Sequence, residues 1–166
     1  NTCSNTDSIA VFVRAEPYSP ILEDALICLD ESVQFTVTPT VPVTVEWFEI
    51  GSDVVLMEGE SVTLADDGDY YAEISNEFCT AYTNNFSVLL VEPAVEIEAL
   101  PGETIKLGET IELVVMNPNP KYSYTWVNNL DTIGAGEVII DTPTETMDYE
   151  VTASFAHCQY STQITI

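Results

Sequence analysis

The sequence predicts an all-β chain made of tandem antiparallel β-sandwiches, each of about seven short strands. Three observations carry the prediction. The chain repeats itself with a period of about 79 residues, apolar residues alternate with period two through each copy, and turn-forming residues separate the alternating runs. No stretch has a helical apolar period.

The repeat is read first from cysteines. Three segments begin with one: Cys3-Ser4-Asn5-Thr6-Asp7-Ser8-Ile9, Cys79-Thr80-Ala81-Tyr82-Thr83-Asn84-Asn85-Phe86, and Cys158-Gln159-Tyr160-Ser161-Thr162-Gln163-Ile164. The first two close alike, on Glu16-Pro17 and Glu92-Pro93, each proline 14 residues after its cysteine. Trp47 and Trp126 stand 79 apart, as do Asp69-Tyr70 and Asp148-Tyr149. The segment from Cys28 to Phe35 aligns with that from Lys106 to Leu113 at an offset of 78. These anchors divide the chain into the last strand of a preceding repeat (1–18) and two repeats (19–93 and 94–166). The chain starts and stops at one phase of the repeat, as a piece of a longer array would.

Each strand follows from alternation, because successive side chains of a strand point to opposite faces. Val33, Phe35 and Val37 form one inward row and Val43, Val45 and Trp47 the next. Ile111, Leu113 and Val115 match the first row, while Tyr122, Tyr124 and Trp126 match the second. Tyr70, Ala72 and Ile74 correspond to Tyr149, Val151 and Ala153. The closing strands read Ile9/Val11/Val13, Phe86/Val88/Leu90 and Ile164/Ile166, with the middle copy one residue further from its cysteine, a shift that a bulge absorbs. Pro39, Pro42, Pro118 and Pro120 fall between strands, where they interrupt no ladder.

Charge and cysteine count bound the function. With 28 acidic residues against Arg14, Lys106 and Lys121, the net charge is −25. Nucleic acid and anionic membrane surfaces are excluded as partners, since both need clustered Lys and Arg. No run reaches the ~18 apolar residues of a membrane helix, so direct membrane insertion is not expected. Four cysteines without a CxxC pair argue against zinc and for disulfides, hence for an oxidising, extracellular location.

The segment Leu64-Ala65-Asp66-Asp67-Gly68-Asp69-Tyr70-Tyr71-Ala72 resembles the D-x-G-x-Y-x-C corner of immunoglobulin-like domains, with Tyr70 as the corner tyrosine and Trp47 as the strand C tryptophan. Tyr149 and Trp126 take these places in the second repeat. Ala72 stands where the family has its strand F cysteine and Phe35 near the strand B position, so apolar packing replaces the intersheet disulfide. Over the whole unit the chain resembles the cysteine-framed immunoglobulin-like and PKD-like repeats of large type IX-secreted bacterial surface proteins, including gliding-motility adhesins. The likeness rests on Cys28 before strand B, the tryptophan of strand C, Gly68-x-Tyr70 on strand F, and a cysteine followed by a Thr/Ser-rich segment leading into strand G. The W-D-F-G-D-G signature of PKD domains is missing after both tryptophans.

In immunoglobulin topology Cys28 lies at the pole between strands A and B and Cys79 at the pole between F and G, over ~20 Å away at ~3.3 Å per residue. A disulfide needs Cα atoms within ~7 Å. In a head-to-tail array Cys28 meets Cys158 of the following repeat, and this bridge is favoured, with Cys28–Cys79 as the alternative. Cys3 and Cys79 then pair with other repeats, and Lys106 replaces the cysteine that would bridge onward.

Catalysis is not expected. His157 is the only histidine and sits beside a disulfide-forming Cys158, whereas a Cys–His nucleophile needs a free thiol. Asp66, Asp67 and Asp69 around Gly68 are the candidate calcium ligands, since calcium takes clustered carboxylate oxygens. Asp7-Ser8-Ile9 and Asp131-Thr132-Ile133 match the short acceptor pattern for O-glycosylation at Ser8 and Thr132 that the bacterial resemblance implies. The expected function is a structural and adhesive stalk or filament segment of a secreted cell-surface protein, whose partners are neighbouring repeats of the same long chain and an extracellular ligand or surface. The alternative is an accessory ligand- or carbohydrate-binding module of a secreted hydrolase.

Overall fold

The computed structural model describes residues 3, 6–13, 15–92, 94–129 and 131–166. Every regular element among them is a strand, and no helix is long and apolar enough to cross a membrane. The chain divides into two compact units. The first gathers residues up to Leu26 and Ser32–Leu89, and the second Ile27–Glu31 and Leu90–Ile166. Pro93, the proline of the second Glu-Pro linker, lies outside the described residues.

The first eight strands are β1 (Ala25–Cys28), β2 (Val33–Thr36), β3 (Thr44–Glu49), β4 (Val55–Glu58), β5 (Ser61–Leu64), β6 (Gly68–Ser75), β7 (Thr80–Tyr82) and β8 (Phe86–Val91), all of the first unit except the last two residues of β1 and of β8, which belong to the second. One sheet runs β1-β8-β6-β3-β4, with β7 also on β6, and β2 pairs β5 in the other. The second unit holds β9 (Glu96–Leu100), β10 (Ile111–Met116), β11 (Ser123–Asn128), β12 (Asp131–Ala135), β13 (Val138–Asp141), β14 (Asp148–Phe155) and β15 (Cys158–Thr165). Its sheets are β13-β10-β9 and β12-β11-β14-β15. This strand order, ABE against C′CFG, is that of an immunoglobulin-like β-sandwich.

Alternation fills both cores as the sequence leads one to expect. In the second unit Ile111, Leu113 and Val115 from one sheet pack with Tyr124, Trp126, Tyr149, Val151 and Ala153 from the other. In the first, Phe35 of β2 meets Phe86 of β8 across the sheets, ring centroids 4.3 Å apart, and Trp47 stands edge-on to the same ring. Ala72 is fully buried. Aromatic contact thus occupies the space that a B–F disulfide holds elsewhere.

The two units share details finer than topology. Each tryptophan is followed by a register shift on its outer neighbour, between Trp47 and Phe48 and between Trp126 and Val127. Each indole donates to a turn carbonyl, Trp47 Nε1 to Gly59 at 2.8 Å and Trp126 Nε1 to Gly136 at 2.9 Å. Both glycines have positive φ, 126° and 104°, a region closed to most side chains.

The one-residue offset in the middle closing strand is also present. β7 and β8 both pair with β6, but Glu73↔Tyr82 and Tyr70↔Phe86 belong to ladders one residue out of step. The extra residue is taken up between them, where buried Thr83 accepts the Ala72 amide on Oγ1 at 2.9 Å. Asn84 meanwhile bonds both backbone groups of Leu22.

Two expected strands differ. Residues 6–13 form no strand and pair with none, and Ile9, Val11 and Val13 are exposed. Among the described residues of the first unit none forms a strand on the outer edge of β2, where β9 pairs β10 in the second. Counting back from Cys28 and Lys106, Pro20 falls at the place of Glu98, which pairs Val114. A proline there has no N–H to give the ladder, and the chain joins the other sheet through β1.

Candidate functional site

The residues with most unusual chemistry gather in the second unit around the turn at residues 28–31. Its sequence, Cys28-Leu29-Asp30-Glu31, closes by a bond from Glu31 N to Cys28 O at 3.0 Å, with Asp30 left-handed at φ 66°. The Glu31 carboxylate turns back to accept the Cys28 amide at 3.0 Å. The aligned turn at residues 106–109 does the same: Glu109 N donates to Lys106 O at 2.9 Å, Lys106 N donates to Glu109 Oε2 at 2.8 Å, and Gly108 takes the left-handed place. The Cys/Lys-x-Asp/Gly-Glu turn is therefore an autonomous local structure, closed once by backbone and once by carboxylate.

Cys28 is bonded to Cys158 with Cα atoms 5.4 Å apart, so the favoured pairing is the one present and Cys28–Cys79 is not. Cys158 opens β15 opposite Phe155, after a two-residue turn in which Ala156 has φ 52°. The other residue of that turn, His157, places Nε2 at 3.3 Å from Glu31 Oε2. The Cys28 amide, and after it His157, hold the Glu31 carboxyl below its ordinary value. Two residues into β15, the Tyr160 hydroxyl accepts the Leu29 amide at 2.5 Å and donates to Val91 O at 2.8 Å. One disulfide, one phenol and one histidine–carboxylate contact hold this turn. Cys3 and Cys79 are free thiols, Cys3 exposed and Cys79 half-buried.

Glu31 and Tyr160 lie outside the candidate sites described above. The repetition of Cys-x-x-Glu as Lys-x-x-Glu is the signal that finds Glu31. Tyr160, aligned with Ala81, leaves none.

The corner residues are positioned by their tyrosines. Tyr70 donates to Asp66 O at 3.1 Å, the tyrosine-corner bond, and its hydroxyl is pushed up in pKa by burial and then by Glu49, Asp66 and Asp67. A Cβ on Gly68 would lie 2.9 Å from that hydroxyl, which is why glycine occupies the motif. Tyr149 uses a different acceptor, Asp141 Oδ2 on β13 at 2.7 Å, and burial ahead of that bond pushes its pKa well above 10. Asp141 is unmarked in the sequence.

The expected calcium set does not assemble. Among the described residues the only group of three or more such side chains with ligand atoms within 4.8 Å of one another is Cys28, His157 and Cys158, whose sulfurs are joined to each other. Asp66, Asp67 and Asp69 form no such group. In the corner Asp66 contributes its backbone carbonyl, while Asp69 Oδ1 accepts the Ser87 hydroxyl of β8. Asp148, 79 residues on, likewise accepts Thr165 of β15 at 2.6 Å. The aspartate of each Asp-Tyr pair thus fastens the closing strand. Ser8 and Thr132 are both exposed, Ser8 preceded by an Asp7 carboxylate that takes its amide and Thr132 on β12 opposite Val127.

No protein-family model matches the chain, and the comparison with curated proteins finds no match. Among solved structures, the immunoglobulin domains 1–5 of Sidekick-1 are similar at 12% sequence identity and a TM-score of 0.36, over 90% of this chain. The chain spans 40% of that structure's length.

Proposed function

We propose that the chain is a non-catalytic, load-bearing repeat segment, a stalk or filament part of a secreted bacterial cell-surface protein that holds an adhesive region away from the cell. The observation that carries this reading is the Cys28–Cys158 bond, which spans 130 residues. Tension entering at one end of the chain and leaving at the other passes through the sulfurs and bypasses both cores. The residues between them, which could yield about 450 Å at ~3.5 Å per residue, are removed from the extensible length. The same bond supports an oxidising, extracellular setting. The net charge of −25 supports a surface that repels its copies and stays hydrated.

Single-molecule pulling on the termini tests the reading. The oxidised chain is expected to lengthen only through its tails, and the reduced chain to release the additional several hundred ångströms in steps. Equal lengthening of both would refute a load-bearing role for the bond. The reading extends to partners: neighbouring repeats of the same chain first, and an extracellular surface at the far end of the array.

A further inference from the structure

We infer that the first unit carries a docking site for a preceding immunoglobulin-like repeat, one that lacks its own last strand and bears a cysteine in its Cys-x-Asp/Gly-Glu turn. Residues 6–13 supply that strand and Cys79 takes that cysteine. The inference rests on the repeat-array reading and states how one junction is built.

Two independent features point to this partner. The first is an apolar strand without a sheet. Ile9, Val11 and Val13 are 88, 79 and 92% exposed, spaced two apart as in a half-buried strand. The corresponding cysteine-led segments are β7–β8 on β6 and β15 on β14. Measured from the cysteine, Ile9 and Val11 match Ile164 and Ile166, which face the core cluster of the second unit. The edge they fit is therefore a strand F of the same kind.

The second feature is the thiol. Cys79 stands 79 residues before Cys158, at the same start of a closing strand, and is free where Cys158 is bonded to a cysteine turn. The surroundings correspond too. Tyr160 of the second unit holds the carbonyl of Val91, two residues before Pro93 in the sequence. In the first unit Asn76 Nδ2 holds the carbonyl of Ala15, two residues before Pro17, at 3.2 Å. The chain leading into each unit is thus gripped two residues before its proline, by a side chain within three residues of the cysteine. An open cleft of about 740 Å³, reaching Phe78 next to Cys79 in the chain, is lined by Val13, Ala15, Val41, Val43, Asn76 and Phe78 among others. Bond formation is balanced by a small disulfide such as oxidised glutathione: the two protein thiols become one disulfide, and the oxidant leaves as two thiols carrying both protons and both electrons.

The test extends the whole chain by a copy of residues 19–78 joined directly to Cys3, so that the copy has no closing strand but residues 3–15. In glutathione buffer, non-reducing peptide mapping is expected to join the copy's Cys28 to Cys79. Amide exchange over residues 8–13 is expected to slow at least about 100-fold relative to the unextended chain, reflecting new ladder bonds. Val11→Asp, inward by this register, should abolish the slowing, while Phe12→Asp, outward, should keep it. A control extension by residues 19–91, with its own closing strand, establishes that the copy folds. With that control folded, unchanged exchange at 8–13 overturns the donor strand, and a quantitatively alkylated Cys79 overturns the covalent half. Neither result bears on whether the Cys28–Cys158 bond carries load, which the pulling experiment reads separately.

Discussion

Opening the Cys28–Cys158 bond should be the most damaging single change available to this protein. The bond closes a loop of 130 residues. In the chain-entropy account the cross-link removes about 2.1 + 1.5R ln n cal/mol/K from the unfolded ensemble, which for this loop is about 5 kcal/mol at 25 °C. If the first unit stays folded while the second unfolds, only the roughly 70 residues after it are free, and the value falls to about 4 kcal/mol. Reduction is the cleaner perturbation, because a serine at Cys158, 1% exposed, would add a buried hydroxyl to the cost. Urea unfolding of oxidised and phosphine-reduced protein, followed by tryptophan fluorescence, reads the difference directly. Reduction should also steepen the denaturant dependence, since an uncrosslinked unfolded chain exposes more surface. A loss below about 1 kcal/mol would refute the argument: the unfolded chain would then already be holding the two cysteines close.

Three further outcomes follow from particular contacts. Gly68→Ala should cost about 1–3 kcal/mol by forcing the Tyr70 hydroxyl off Asp66, measured as a lower urea midpoint, whereas Gly51→Ala, with open space around it, should cost only its backbone strain. Ala156→Gly should raise stability by about 0.5–1 kcal/mol, because the β14–β15 turn holds alanine at positive φ, and a calorimetric scan without an upward shift would count against that strain. Tyr149 has its pKa raised above the ordinary 10.0, so its contribution is fully present below pH 10 and is lost as pH rises through the folded value; wild type should lose stability in strong alkali and Tyr149→Phe should lose less across that range, as read by alkaline unfolding curves.

Much of the fold can be read from alternation alone, since a strand buried on one face must place apolar residues two apart. Val33/Phe35, Val45/Trp47 and Tyr70/Ala72/Ile74 announce themselves this way, and all are inward or half-buried in the sandwich. The closing-strand offset is legible too, because comparing three cysteine-led segments shows one residue too many, and the ladders of β7 and β8 carry that extra residue. The second unit's tyrosine corner is not legible. Tyr149 finds a carboxylate from β13, a partner brought close by sheet packing and by no local pattern.

The cysteines show the division most clearly. Sequence by itself determined the repeat, the all-β class and the poles at which Cys28, Cys79 and Cys158 stand, because period and spacing are local properties of a chain. It also marked an aspartate run as a candidate cation site, since a cluster of carboxylates is a local pattern too. Only the tertiary structure decided that Cys28 bonds Cys158, that Glu31 and Tyr160 clamp the turn around it, and that Asp69 fastens a strand. Apart from the local bond of Glu31 to Cys28, those outcomes depend on groups that meet across 18 to 131 residues of sequence, and meetings of that kind are set by how the strands pair and the sheets pack.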